Sequence, residues 1–150
     1  MSAPRRASLV LRVPSRTEFL ALVRDVTRRM AETSGFEAAQ AERLALAVDE
    51  ASTNVIEHAY GGARDRVVEL RFWDAGEELR IDVVDDGATV DPRSVPALDL
   101  SRYASERRTG GLGMHLMGKI MDSVTFARAA HRNVCCMVKR KPAAGGEEAP

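Results

Sequence analysis

The chain has 150 residues, and its 22 Lys plus Arg balance 22 Asp plus Glu to a formal net charge of zero. That length makes one domain with short tails, and the charge balance supplies no bulk attraction to nucleic acid or to a membrane surface. Hydrophobic residues are 45% of the chain and aromatics only 5%, which excludes a disordered chain, a collagen and a membrane-spanning protein and leaves a core of Val, Leu, Ile, Met and Ala.

Residues 1–7 are expected to be a flexible N-terminus; the apolar run after them, Leu9-Val-Leu11, breaks at Arg12, too short for a signal-peptide core. Ser8 to Val13 is predicted as a first strand, closed by Pro14. Ser15 stands three residues before Glu18, the spacing of a capping box for a helix beginning near Arg16. Phe19, Val23, Val26 and Met30 follow the helical period, Arg24, Arg28 and Arg29 fall toward solvent, and Gly35 ends the helix. A second helix is predicted from about Glu37 to Ala59, with Leu44, Val48, Ala51, Val55 and Ala59 as its buried stripe and Gly61-Gly62 as its stop.

Arg66 to Asp74 and Glu78 to Val84 alternate apolar and polar residues, as an antiparallel hairpin with one covered face does. Asp85-Asp-Gly-Ala-Thr89 leaves the sheet, and Asp91 to Thr109 reads as a long mobile loop of the kind that usually carries function. Gly110-Gly-Leu-Gly113 then leads into a short apolar helix, Met114 to Met121. Ser123 to Ala129 and Asn133 to Lys139 form a closing hairpin around Ala130-His-Arg132, and residues 140–150 read as a disordered tail. The order gives an α+β two-layer sandwich over residues 8–139. Cys135 and Cys136 are adjacent, so in a strand they face opposite ways; a core-and-surface thiol pair in a reducing compartment is expected.

Three features carry chemistry. Glu50, Asn54 and His58 are four apart in the second helix and lie beside its apolar stripe. A carboxylate and an amide there suit a hard cation that rides on ligand phosphates, although the same spacing also fits a solvated face or a local helix network. Asp85-Asp-Gly87 at a strand end is either a turn or a base site, with Asp85 accepting from an amino group and Gly87 allowing close approach of the backbone. Thr109-Gly-Gly-Leu-Gly113 before a helix is either a hinge with a tight turn or a phosphate cradle; it matches neither a dinucleotide fingerprint nor a P-loop. Together they supply a base, a metal with phosphates, and a lid.

The stretch from Ala47 to Tyr60 resembles the N box of the GHKL ATPase superfamily, with its E-x-x-x-N-x-x-x-H-A-Y, in the small branch of anti-sigma factor serine/threonine kinases (RsbW/SpoIIAB-like). Asp85 to Asp91 resembles that branch's first glycine box, and Gly110 to Met117 its second. The resemblance implies the Bergerat/GHKL fold with a mixed, mostly antiparallel sheet, and ATP with Mg²⁺ as ligands. It makes Glu50 the general base, Asn54 the Mg²⁺ ligand, and His58 a lining of the phosphate side or a support of the helix. Asp85 would take the adenine amino group and Gly87 would sit against the base; Gly111, Leu112 and Gly113 would lie by the phosphates, with Gly110 as a hinge. Arg107 or Arg108 would reach the β- and γ-phosphates. Thr89 stands where larger relatives carry a second glycine, a departure common in the small branch.

The function implied is phosphorylation of a STAS-type anti-sigma antagonist together with sequestration of a sigma factor, in a cytoplasmic homodimer that touches neither nucleic acid nor membrane. The alternative is a non-catalytic ATP-binding anti-sigma or adaptor module.

Overall fold

Strand alternation and helix period divide the chain into two layers in the computed structural model, which describes residues 7–88 and 108–143. In chain order the elements are β1 (Leu9–Pro14), a 3₁₀ turn (Thr17–Phe19), α1 (Leu20–Thr33), α2 (Ala38–Asn54), a π turn (Val55–Ala59), β2 (Val67–Ala75), β3 (Glu78–Asp85), α3 (Arg108–Ile120), β4 (Ser123–Ala129) and β5 (Arg132–Arg140). The strands form one sheet in the order β1-β2-β3-β5-β4. Every pairing among these strands is antiparallel.

Period two puts Val68, Leu70 and Phe72 of β2, Leu79, Ile81 and Val83 of β3, and Cys135 and Met137 of β5 on one face. Val23 and Ala31 of α1, Leu44, Val48 and Ala51 of α2, and Met117 and Ile120 of α3 cover them. Each fully buried Leu, Ile or Phe of this layer contributes about 1.5–3 kcal/mol relative to exposure. In α1 the fully buried stripe is Val23, Thr27 and Ala31, while Val26 and Met30, with Phe19 of the preceding 3₁₀ turn, are partly buried beside it. The buried Thr27 hydroxyl donates to the Val23 carbonyl at 2.8 Å, so it adds no unmet polar group to that stripe.

Three local expectations change. Ser15 does not cap α1: its hydroxyl donates to Ala63 O at 2.5 Å and accepts from Arg66 N at 3.1 Å. The residue is buried, and it ties the end of β1 to the loop before β2. The second helix is α-helical only to Asn54 and continues as the π turn, where Tyr60 N donates to Val55 O at 2.9 Å. The glycines do not precede the third helix but lie inside it, because α3 already begins at Arg108. The stretch read as a mobile loop lies outside the described residues from 91 to 107.

Gly76 turns the β2–β3 hairpin with φ 66°, the left-handed region that a short hairpin loop needs. Beyond β5, Lys141 N donates to Glu77 O at 2.8 Å and its ammonium pairs with Asp74, so ordered contacts run past residue 140. Cys135 is buried and Cys136 half-buried, both as free thiols. Burial pushes them up to about 12 and about 11, so both stay protonated and unreactive at neutral pH. No helix among the described residues is long and apolar enough to cross a membrane.

Candidate functional site

The site lies where α2, the end of β3 and the first turns of α3 converge. Glu50 is on the flank of α2, half-buried, and its Oε1 is enclosed with no hydrogen-bond partner among the described residues. Burial raises its pKa above the ordinary glutamate value, and the neighbouring charges of Asp49 and Glu57 push the same way. Asp49 is itself raised by burial, which outweighs the Arg24 guanidinium 3.0 Å from its Oδ1. A carboxylate enclosed without a partner is costly, by about 1–3 kcal/mol. Such a group is poised to accept a proton.

Glu50 also explains one of the α3 glycines. A Cβ at Gly113 would stand 2.2 Å from Glu50 Oε1 and 3.1 Å from its Cδ, so glycine here leaves the Glu50 carboxylate in its present position. Because α3 begins at Arg108, the Gly113 amide lies beyond the first turn, where an amide belongs to the helix's own ladder. The amides free to face an anion are those of the first turn, Arg108 to Gly110. Arg107 lies outside the described residues, as do the side chains of Arg108 and Leu112.

Asn54 is the last residue of α2, half-buried, and follows Glu50 by one turn. His58, half-buried, lies beyond the start of the π turn, so the regular four-residue spacing from Glu50 does not carry through to it as an α-helix. π turns interrupting a helix often accompany functional sites.

At the far end of β3, Asp85 is buried, and its Oδ1 accepts from Gly87 N and from Asn133 Nδ2, each at 2.8 Å. Asn133 is a partner of Asp85 that sequence reading passed over. It stands opposite Asp85 in the β3–β5 register, and its own Oδ1 accepts from Arg128 at 2.9 Å. Only the strand order reveals that pairing, since 48 positions separate the two residues in the chain.

Gly87 meets its neighbours differently from the expectation. A Cβ there would stand 2.3 Å from the Ala59 carbonyl oxygen and 2.8 Å from Tyr60 Cδ1. The close approach that requires glycine is therefore to the π turn. Ala88 N donates to the same Ala59 oxygen at 2.9 Å, which locks the Asp85–Ala88 loop to the end of the helix.

The donor set fits Mg²⁺ in a limited way. Among the described residues no three His, Cys, Asp or Glu side chains converge on a metal position. A magnesium ion that keeps its waters and rides on nucleotide phosphates needs only one or two protein oxygens. Asn54, one turn from Glu50, carries one such oxygen.

With this geometry in place, comparison with known proteins finds a family model described as a histidine kinase-like ATPase domain, matching residues 13–139. Serine-protein kinase RsbW of Bacillus pumilus is 32% identical over 121 residues, covering 76% of this chain and 74% of that protein. The protein of the same name from Listeria monocytogenes is 30% identical over 120 residues, covering 77% and 76%. That from Bacillus subtilis is 30% identical over 118 residues, covering 76% and 74%.

Proposed function

The chain belongs to the histidine kinase-like ATPase family, and from that premise we propose that it is an anti-sigma factor serine/threonine kinase acting in the cytoplasm. It takes ATP with Mg²⁺, transfers the γ-phosphoryl group to a Ser or Thr of a STAS-type anti-sigma antagonist, and sequesters a sigma factor when that antagonist is phosphorylated. Homodimerisation belongs to the same reading.

The observation that carries it is the enclosed Oε1 of Glu50, one turn from Asn54 and without a hydrogen-bond partner among the described residues. A binding module has no use for a charge left without a donor, whereas a general base has. The hydroxyl of the antagonist attacks the γ-phosphorus while Glu50 takes its proton. The bond from that phosphorus to the bridging oxygen breaks, and ADP leaves. When bound through Asn54, Mg²⁺ supplies neutralisation of the charge gathering on the phosphates. The leading amides of α3 face those phosphates, and Asp85, held by Asn133 and the Gly87 amide, accepts from the adenine amino group. His58 and the arginines at 107 and 108 line the phosphate side.

The relatives named as serine-protein kinases support transfer to a hydroxyl side chain. The test is transfer of radiolabel from ATP to the cognate STAS protein. Label on a serine or threonine of that protein is the expected result. A folded wild type that binds nucleotide and labels nothing sinks the kinase reading and leaves a non-catalytic anti-sigma or adaptor module.

A further inference from the structure

The register that pairs Glu69 with Val84 would pair Val67 with Asp86 two residues further on. In an antiparallel ladder that position is a hydrogen-bonded one, with the Val67 carbonyl receiving the Asp86 N–H directly. It does not do so here. The Tyr60 hydroxyl stands between the two groups, donating to Val67 O at 2.5 Å and accepting from Asp86 N at 3.2 Å. A phenol has one proton to give and lone pairs to accept, so both backbone groups are satisfied through it. Asp86 Oδ1 lies 3.1 Å from the same oxygen.

The ring is held as firmly as the hydroxyl. Tyr60 is 7% exposed and joins the core cluster directly after the π turn. The Arg66 guanidinium lies 4.7 Å from its ring centroid and pairs with Asp86 at 2.9 Å. Burial pushes the phenol up to about 12, so it remains a neutral donor across the physiological range.

We propose that Tyr60 is a positioning residue: its hydroxyl wedges open the ends of β2 and β3 and thereby sets the Asp85–Gly87 loop for the nucleotide base. With the wedge in place the β2–β3 pairing stops at Glu69–Val84, and after Asp85 the chain turns toward the π turn instead of running along the sheet. Nothing in this role touches the γ-phosphate or Glu50. Removal of the hydroxyl therefore weakens nucleotide binding without slowing the chemical step. This inference rests on the nucleotide reading of the site.

Tyr60→Phe keeps the ring, its packing and the Arg66 contact, and deletes only the wedge. Calorimetry with ATP and with ADP on wild type and variant is the test, joined by kcat and KM for transfer. The expected result is about a tenfold weaker Kd for both nucleotides, a KM for ATP raised to match, and kcat within twofold. Equal losses for ATP and ADP place the effect at the base end. A loss confined to ATP, or a fall in kcat with KM unchanged, overturns the assignment. So does unchanged binding, and so does a Tyr60→Phe chain that fails to fold. Wild type that binds neither nucleotide overturns the nucleotide reading itself, whereas wild-type binding with an indifferent Tyr60→Phe overturns the wedge alone.

Discussion

Two sets of carboxylates in this molecule, one on the open face of the sheet and one at the crossing of α2 and α3, are treated in opposite ways. On the open face of the sheet, Glu69 and Asp82 are 6% and 2% exposed, and arginines close over both. Arg12 Nε donates to Glu69 Oε1 at 2.7 Å and Arg71 Nε to Oε2, while Arg80 grips Asp82 with two bonds of 3.0 Å. Burial alone would raise the Glu69 pKa, but the hydrogen bonds from Arg12 and Arg71 outweigh it and hold it below the ordinary range. At the crossing of α2 and α3, burial and two like charges act on Glu50, its Oε1 has no hydrogen-bond partner among the described residues, and its pKa is raised. Paired burial makes a carboxylate part of the scaffold, and unpaired burial makes it a base in waiting.

The sharpest way to break this contrast is Glu50→Gln. The amide fills the same space beside Gly113 but cannot take a proton. Phosphoryl transfer to the antagonist should fall by about 10³-fold with nucleotide binding nearly unchanged, measured by single-turnover labelling and calorimetry. A variant that still transfers at a tenth of the wild-type rate would remove Glu50 from the chemistry.

The scaffold side is tested by Arg80→Ala. It leaves Asp82 buried without its two donors and strips the guanidinium that lies 4.5 Å from the Trp73 ring. A fully buried pair broken in this way costs more, but Arg80 is itself about one-third exposed. The expected loss is about 2–3 kcal/mol, seen as a fall in Tm of roughly 5–8 °C, with transfer at 25 °C retained. The two carboxylate classes then separate cleanly: one variant loses activity and keeps its fold, the other loses stability and keeps its activity.

The two glycine boxes extend the comparison at smaller scale. In Gly113→Ala the new methyl meets the end of a flexible side chain, so Glu50 can swing aside, and the helix gains about 1 kcal/mol of propensity. Transfer should drop about tenfold while Tm stays within about 3 °C. Gly87→Ala meets the Ala59 carbonyl, which is backbone and cannot swing, and should lower Tm instead. A Gly113→Ala chain with full activity would mean that Glu50 does not work from the position described here.

Sequence periodicity carried most of the architecture and much less of the site. β4 was legible to the residue, and the other four strands to within one residue at either end, because each alternates against one covered face. Glu50, Asn54 and Asp85 stood out as motif residues, since a helix spacing and a strand end are local facts. Asn133 and Tyr60 did not, because their partners lie 48 and 26 positions away and become neighbours only through strand order. The reason for Gly87 was hidden for the same cause: its constraint is a carbonyl on another element. Ser15 and Glu18 had the spacing of a cap, yet tertiary contacts from Ala63 and Arg66 outbid the local one. The start of α3 was obscured because three glycines among its first six residues are a poor helix signal.

The smallest effect is also the one that reports directly on the cost of an unpaired charge. The pKa of Glu50 in the fold is raised above its ordinary value of 4.5, so the folded state binds that proton more tightly than the unfolded chain. The stabilisation from protonated Glu50 is therefore fully present below pH 4.5 and is lost as pH rises through the folded pKa. Gln carries no such loss. Glu50→Gln should match wild type in Tm near pH 4 and exceed it near pH 7 by about 2–4 °C, the equivalent of about 1 kcal/mol. An ascending limb in the rate of transfer should appear over the same interval, above the ordinary glutamate range, because only deprotonated Glu50 accepts the hydroxyl proton. If the Tm difference were instead flat with pH, Glu50 would have found a donor in solution, and the contrast with Glu69 and Asp82 would disappear.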